Sequence, residues 1–156
     1  MKKVVRNMSL IIAFGLIAAL GLLAYIRLAP SDPAVWHVAA VTSTALAEGT
    51  CLSAITTVKG GARSACLSTD TPETLLLSLD QKAMAIPRTT RLAGTPQSGR
   101  ITWVTRSALM GYPDYTTAEA TVTPTGTRLD IFARQRFGEE DFGVNAARLK
   151  DWLKDF

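Results

Sequence analysis

The chain has 156 residues, enough for one modest domain. It carries 17 basic and 13 acidic side chains, but four of the basic residues and none of the acids fall in the first 30 positions. The remainder therefore holds thirteen of each sign, so the body lacks the basic footprint that nucleic-acid binding requires.

Twenty uncharged residues, Asn7 to Ile26, separate Arg6 from Arg27. About 20 apolar residues cross the hydrocarbon core as a helix, and no polar stripe marks this stretch as a buried amphipathic element. Lys2, Lys3 and Arg6 precede it; Arg27 follows, with Asp32 close behind. Positive flanks stay in the cytoplasm, which predicts a body on the far side of a bacterial inner membrane, in the periplasm. The stretch exceeds the roughly 7–15-residue core of a signal peptide, and no Ala-x-Ala site directly follows it. It reads as an uncleaved anchor. The expected organisation is an anchor over 1–27, a linker over 28–33 and an α+β domain over 34–156.

Leu28-Ala-Pro-Ser-Asp-Pro33 has the turn residues of a linker. Val35 to Val41 reads as a first extended segment, and residues 42–50 as loop. Cys51–Val58 and Ala62–Leu67 flank Lys59-Gly60-Gly61, a hairpin signal. Cys51 and Cys66 then lie near the outer ends of that hairpin. In an oxidising compartment they suggest one disulfide, the alternative being two buried thiols. Thr71-Pro72-Glu73 has the cap, the proline and the acid of a helix start. Leu75, Leu76, Leu79, Ala83 and Ile86 form its apolar stripe, and Pro87 stops it.

Four extended segments follow: Arg88–Leu92, Arg100–Ser107, Tyr115–Thr123 and Arg128–Phe137. In the second, Ile101, Trp103 and Thr105 face one way and Thr102, Val104 and Arg106 the other. Turns fall at Gly94–Gly99, Gly111–Asp114 and Pro124–Gly126. Asn145 reads as the N-cap of a last helix whose apolar face is Leu149, Trp152, Leu153 and Phe156. The order implies an antiparallel meander of about four strands plus a small hairpin, with two helices on one face.

Thr105-Arg106-Ser107, the turn Gly111-Tyr-Pro-Asp114, and Arg134-Gln-Arg136-Phe-Gly138 leading to Asp141-Phe-Gly143-Val-Asn145 and Arg148 resemble the domain of unknown function 1499 family. The resemblance covers roughly residues 72–156 and, more faintly, Trp36-His-Val38 onward. Gln135 stands where the family usually has serine, the 139–141 turn carries an extra acid, and Tyr112-Pro-Asp114-Tyr has one acid fewer than the usual pattern. The family has no established activity; resemblance to it implies a bacterial, membrane-anchored protein.

Arg134 and Arg136 share a strand face, Arg106 is expected to join them from a neighbouring strand, and Asp114, Asp141 and Asn145 come from adjoining turns. This cluster supports two readings. One is an anion or lipid head-group site, because guanidinium forks bind phosphate and a helix N-terminus adds donors. The other is a structural network in which Asp141 pairs with Arg134 or Arg136. Glu139-Glu140-Asp141 reads as a solvated charge run. Trp152 and Phe156 belong either to the core or to a surface that docks on a partner. His37 lacks a partnered nucleophile, and no metal cage or cofactor loop is present, so no metal, cofactor or enzymatic activity is expected. The expected partners are the bilayer and a larger membrane complex to which this chain is a non-enzymatic accessory subunit. The alternative is a lipid- or anion-binding module.

Overall fold

The computed structural model describes residues 2–40, 46, 50–154 and 156. Val41 and most of the loop expected over 42–50 lie outside the described residues. Helix α1 runs Lys2–Leu28 and is long and apolar enough to cross a membrane by length and composition. It is almost bare of contacts until its last turn, where Ile26 is buried.

The body is one six-stranded antiparallel sheet: β1 (Thr56–Val58), β2 (Gly61–Ser68), β3 (Thr89–Thr95), β4 (Arg100–Arg106), β5 (Pro113–Thr123) and β6 (Gly126–Gln135), in the order β1-β2-β6-β5-β4-β3. The expected four-stranded meander is β3 to β6. The expected hairpin is β1–β2, and it joins the same sheet because β2 pairs with β6 from Gly61 opposite Arg134 to Ser68 opposite Thr127. The last strand ends at Gln135, so Arg136 and Phe137 follow it rather than belong to it.

Helix α3 (Pro72–Ala85) begins as its sequence dictates. The Thr71 hydroxyl accepts from the Thr74 amide at 3.3 Å, and Pro72 occupies the first turn. Ile86 is extended ahead of Pro87, which ends the helix. Leu75, Leu76, Leu79 and Ala83 are buried against Ile101, Trp103, Leu129 and Ile131 of the sheet, together with Leu149, Trp152 and Leu153 of α4 (Val144–Leu153). Both helices thus lie on one sheet face.

An acid stands inside this apolar layer. Asp80 accepts from the Trp103 indole at 2.8 Å and from Arg91 Nε at 3.0 Å. Burial pushes its pKa up, but the hydrogen bonds from Arg91 and Trp103 and the Arg91 charge outweigh burial and hold it below its ordinary value. On the hairpin, Cys51 and Cys66 are joined by a disulfide, which ties the turn before β1 to β2.

The opposite sheet face is covered by the segment after α1. Its expected extended stretch, Val35–Val41, is not a strand. Pro33–Trp36 forms a one-turn helix, α2, because Asp32 Oδ1 accepts from the Ala34 amide at 2.9 Å and Pro33 takes the first helical position. Cap and proline outweigh the β-prone Val35 and Trp36.

Asp80→Ala strands the buried Trp103 N–H, so denaturant unfolding of the detergent-solubilised chain should show a loss of about 1–3 kcal/mol. Because the Asp80 pKa is lowered, its stabilisation is complete above about 3.8 and disappears as pH falls through its folded value; the acid limb of a pH–stability curve should flatten in that variant. Replacing both cysteines by alanine should cost about 2–5 kcal/mol in the same assay.

Candidate functional site

The expected cluster divides into two places on opposite faces of the sheet. Arg106, Arg134 and Arg136 lie on the outer face. Asp141 and Asn145 lie under the start of α4.

On the outer face the three arginines grip main-chain carbonyls. Arg106 Nη2 donates to Ala29 O at 3.2 Å, and its Nη1 to Gly111 O at 3.0 Å and more weakly to Ile26 O at 3.5 Å. Arg136 Nη1 donates to Pro30 O at 2.6 Å and lies 3.3 Å from the Tyr115 hydroxyl. Arg134 Nη2 donates to Trp36 O at 2.6 Å. The carbonyls at the end of a helix have no intrahelical partners, and its negative dipole end favours cations. Guanidinium donors therefore suit the exit of α1.

Side chains complete this strap. Trp36 stacks on Tyr115 at 3.9 Å between ring centroids, with Arg134 and Arg136 over the indole. Ser31 Oγ lies 2.8 Å from the Tyr115 hydroxyl. His37 Nδ1 lies 2.9 Å from Thr102 Oγ1, and the Ala40 amide donates to Glu119 Oε2 at 3.2 Å. His37 packs so near Gly94 (φ +83°) that a Cβ there would collide with its ring and with the Arg100 carbonyl. Burial, then the Arg100 charge, lowers the His37 pKa, opposed by Glu119, so the docked ring is neutral near pH 7. Burial, and then Arg63, lowers the Arg134 pKa, opposed by Tyr115; an arginine remains protonated in a protein all the same.

On the helix face, Asp141 pairs with neither Arg134 nor Arg136, contrary to the expected network. It is buried rather than solvated, and its carboxylate accepts from the amides of Gly143 at 3.1 Å and Asn145 at 3.0 Å. Asn145 is not the N-cap. Gly143 takes that position at φ +80°, and Asp141 reaches across it to satisfy the first turn. The Asn145 side chain accepts instead from Arg148, whose other nitrogen donates to Asp114 Oδ2 at 3.1 Å. Burial raises the Asp114 pKa against the pull of Arg148, and Asp141 adds to the rise. Glu139 and Glu140 are exposed as expected.

Trp152 is fully buried, at 5.3 Å and edge-on to Trp103, so it belongs to the core and not to a docking surface. Phe156 is half-buried with the Lys82 ammonium 4.7 Å over its ring. Sequence reasoning took Trp36 as a core or membrane-near contact without its place in the strap, and it missed Tyr115 and Arg27. The Asp32-Pro33 helix start was the available signal for Trp36; nothing local marks the other two. Among the described residues no group of three or more His, Cys, Asp or Glu is placed to hold a metal.

A sheet with two helices on one face and, on the other, an arginine-held strap leading from a long apolar helix defines an α+β domain fixed to a hydrophobic helix. The chain belongs to the family described as protein of unknown function (DUF1499), whose profile matches residues 41–156. The matched region includes all three strap arginines but not the strap. No curated protein shows significant similarity to the chain.

Arg134→Ala with Arg136→Ala should raise hydrogen exchange of amides 32–40 by about tenfold or more and leave α3 unchanged, since each lost charge-assisted bond is worth about 1.5–3 kcal/mol. The His37 pKa is lowered on docking, so docking is at full strength above about 6.5 and weakens as pH falls from there toward the docked value. The protection factors of the strap amides, with the intrinsic slowing of exchange toward acid divided out, should fall over that range, and His37→Gln should abolish that fall.

Proposed function

We propose that the chain is a single-pass protein of the bacterial inner membrane, with its N-terminus in the cytoplasm and its body in the periplasm. It works there without catalysis, as an accessory or interaction subunit of a larger membrane assembly. The observation that carries this reading is the strap. Arg106, Arg134 and Arg136 fasten the residues leaving α1 to the sheet, so helix and body form one unit. A fixed body suits a subunit that must hold position against a neighbour. The same contacts support an uncleaved anchor over a signal peptide, because removing α1 would strip Ile26 from the packed end of the body.

The helix supports the reading from its own side. No side chain or main chain of the body lies within 4 Å of where a Cβ would stand at Gly15 or Gly21, which leaves smooth faces for another helix. Asp114 is the residue closest to an enzyme's requirements, with its raised pKa beside a cleft of about 270 Å³. Its carboxylate is engaged by Arg148, and among the described residues no serine or cysteine nucleophile is bonded to a base there.

Mild detergent solubilisation of native membranes, size separation and mass spectrometry test the proposal. Co-migration with a larger complex at fixed ratio is expected. Migration of the chain alone contradicts the accessory role, and release from membranes by an alkaline wash contradicts the anchor.

A further inference from the structure

The strap arginines spend donors on carbonyls, but a second basic cleft stays open. It holds about 400 Å³ and is lined by Arg27, Arg88, Thr90, Arg106, Ser107, Ala108 and Gly111. Three of its lining residues are arginines and none is a carboxylate. Their internal bonds are few: Arg27 Nη2 donates to Leu109 O at 2.7 Å, Arg88 Nε to Arg106 O at 3.2 Å, and Arg106 serves the strap. Among the described residues, the side chains of Arg27 and Arg88 each make only that one hydrogen bond.

Two further observations bear on what the cleft takes. Arg88 adopts φ +63°, a left-handed conformation that glycine accepts freely and arginine only at a cost. The backbone alone does not call for an arginine there. The cleft also lies at a defined depth. Residues 7–26 of α1 span about 30 Å at about 1.5 Å per residue, which matches the hydrocarbon core and places Arg27 at head-group level. Because Arg27 holds the Leu109 carbonyl, the 107–112 loop lies at the same level, with Leu109 81% exposed. On the neighbouring β6–α4 loop Phe142 is 94% exposed, and Tyr25 of α1 packs edge-on to Phe137 at 6.0 Å. Apolar tips beside a basic, acid-free cleft match the interface of a bilayer, where Phe and Leu enter the acyl boundary and arginines meet phosphate.

The geometry points to an anionic phospholipid head-group site formed by Arg27, Arg88 and Arg106, with Leu109 and Phe142 dipping into the adjoining leaflet. The inference rests on the membrane-anchored reading, though not on the accessory role. The forks of Arg27 and Arg88 would clamp the phosphate diester, and Arg106, whose terminal nitrogens serve carbonyls, would add its positive charge beside them.

The test uses the full chain in mild detergent with equal phosphatidylglycerol and phosphatidylcholine, read by native mass spectrometry. The wild type should retain one phosphatidylglycerol in preference to phosphatidylcholine. Arg88→Gly suits the backbone and deletes the guanidinium, so it should cut that retention about tenfold while thermal unfolding holds or improves. Arg27→Gln should act in the same direction. Equal retention of the two lipids, undiminished retention in Arg88→Gly, or displacement of the lipid by millimolar inorganic phosphate would each overturn the site. An alkaline wash of native membranes reads the anchor separately, so failure of the site and failure of the anchor are told apart.

Discussion

Everything distinctive about this structure depends on arginine donors meeting main-chain carbonyls at the point where the chain leaves its long helix. The segment from Ile26 to Trp36 holds two prolines and only one helical turn, so several of its carbonyls have no secondary-structure partner. Arg106, Arg134 and Arg136 supply those partners from β4 and from the end of β6. Each bond is charge-assisted, and the Trp36–Tyr115 stack closes the strap against the sheet. Without these contacts the outer face would be a row of half-buried cations beside Phe132 and Tyr115. With them it becomes a second packed layer.

That arrangement changes the meaning of the family's arginine motif in this chain. Arg134 and Arg136 look like an anion fork when read along one strand. In the fold they hold main chain that lies outside the family's matched region, and the open arginine-lined cleft lies instead at the helix exit. The acidic half of the motif is separate again. Asp141 shapes the entry to α4, and Asn145, Arg148 and Asp114 lock that helix onto β5. One contiguous stretch of sequence therefore serves both faces of the sheet, because β6 alternates its side chains and the 136–143 segment leads from the end of that strand to α4 on the helix face.

Much of the fold was legible wherever local chemistry decides the outcome. Thr71-Pro72-Glu73 starts α3, Gly60-Gly61 turns the hairpin, and the alternation from Ile101 to Arg106 assigns two faces correctly. The joining of the hairpin to β6 was not legible, since its paired residues, from Ser68 with Thr127 to Gly61 with Arg134, are far apart in sequence and carry no local mark of their pairing. The strap was misread because Val35-Trp-His-Val38 alternates like a strand while the deciding cap, Asp32 before Pro33, sits just upstream. Asn145 was misread as a cap because Gly143 holds the N-cap position at a positive φ and Asp141, upstream of it, supplies the capping oxygens. Of the candidate site, the arginines were legible as residues; their ligand, a carbonyl rather than an anion or Asp141, was not.

The central claim is that helix and body form one unit. It is tested most directly by spin labels at Ala18 in α1 and Gln97 on the β3–β4 turn, both exposed, in the full chain reconstituted into lipid nanodiscs. A narrow distance distribution that broadens when Arg106, Arg134 and Arg136 are replaced by alanine is the predicted result. A broad distribution in the wild type, or one unchanged by those replacements, would contradict the account.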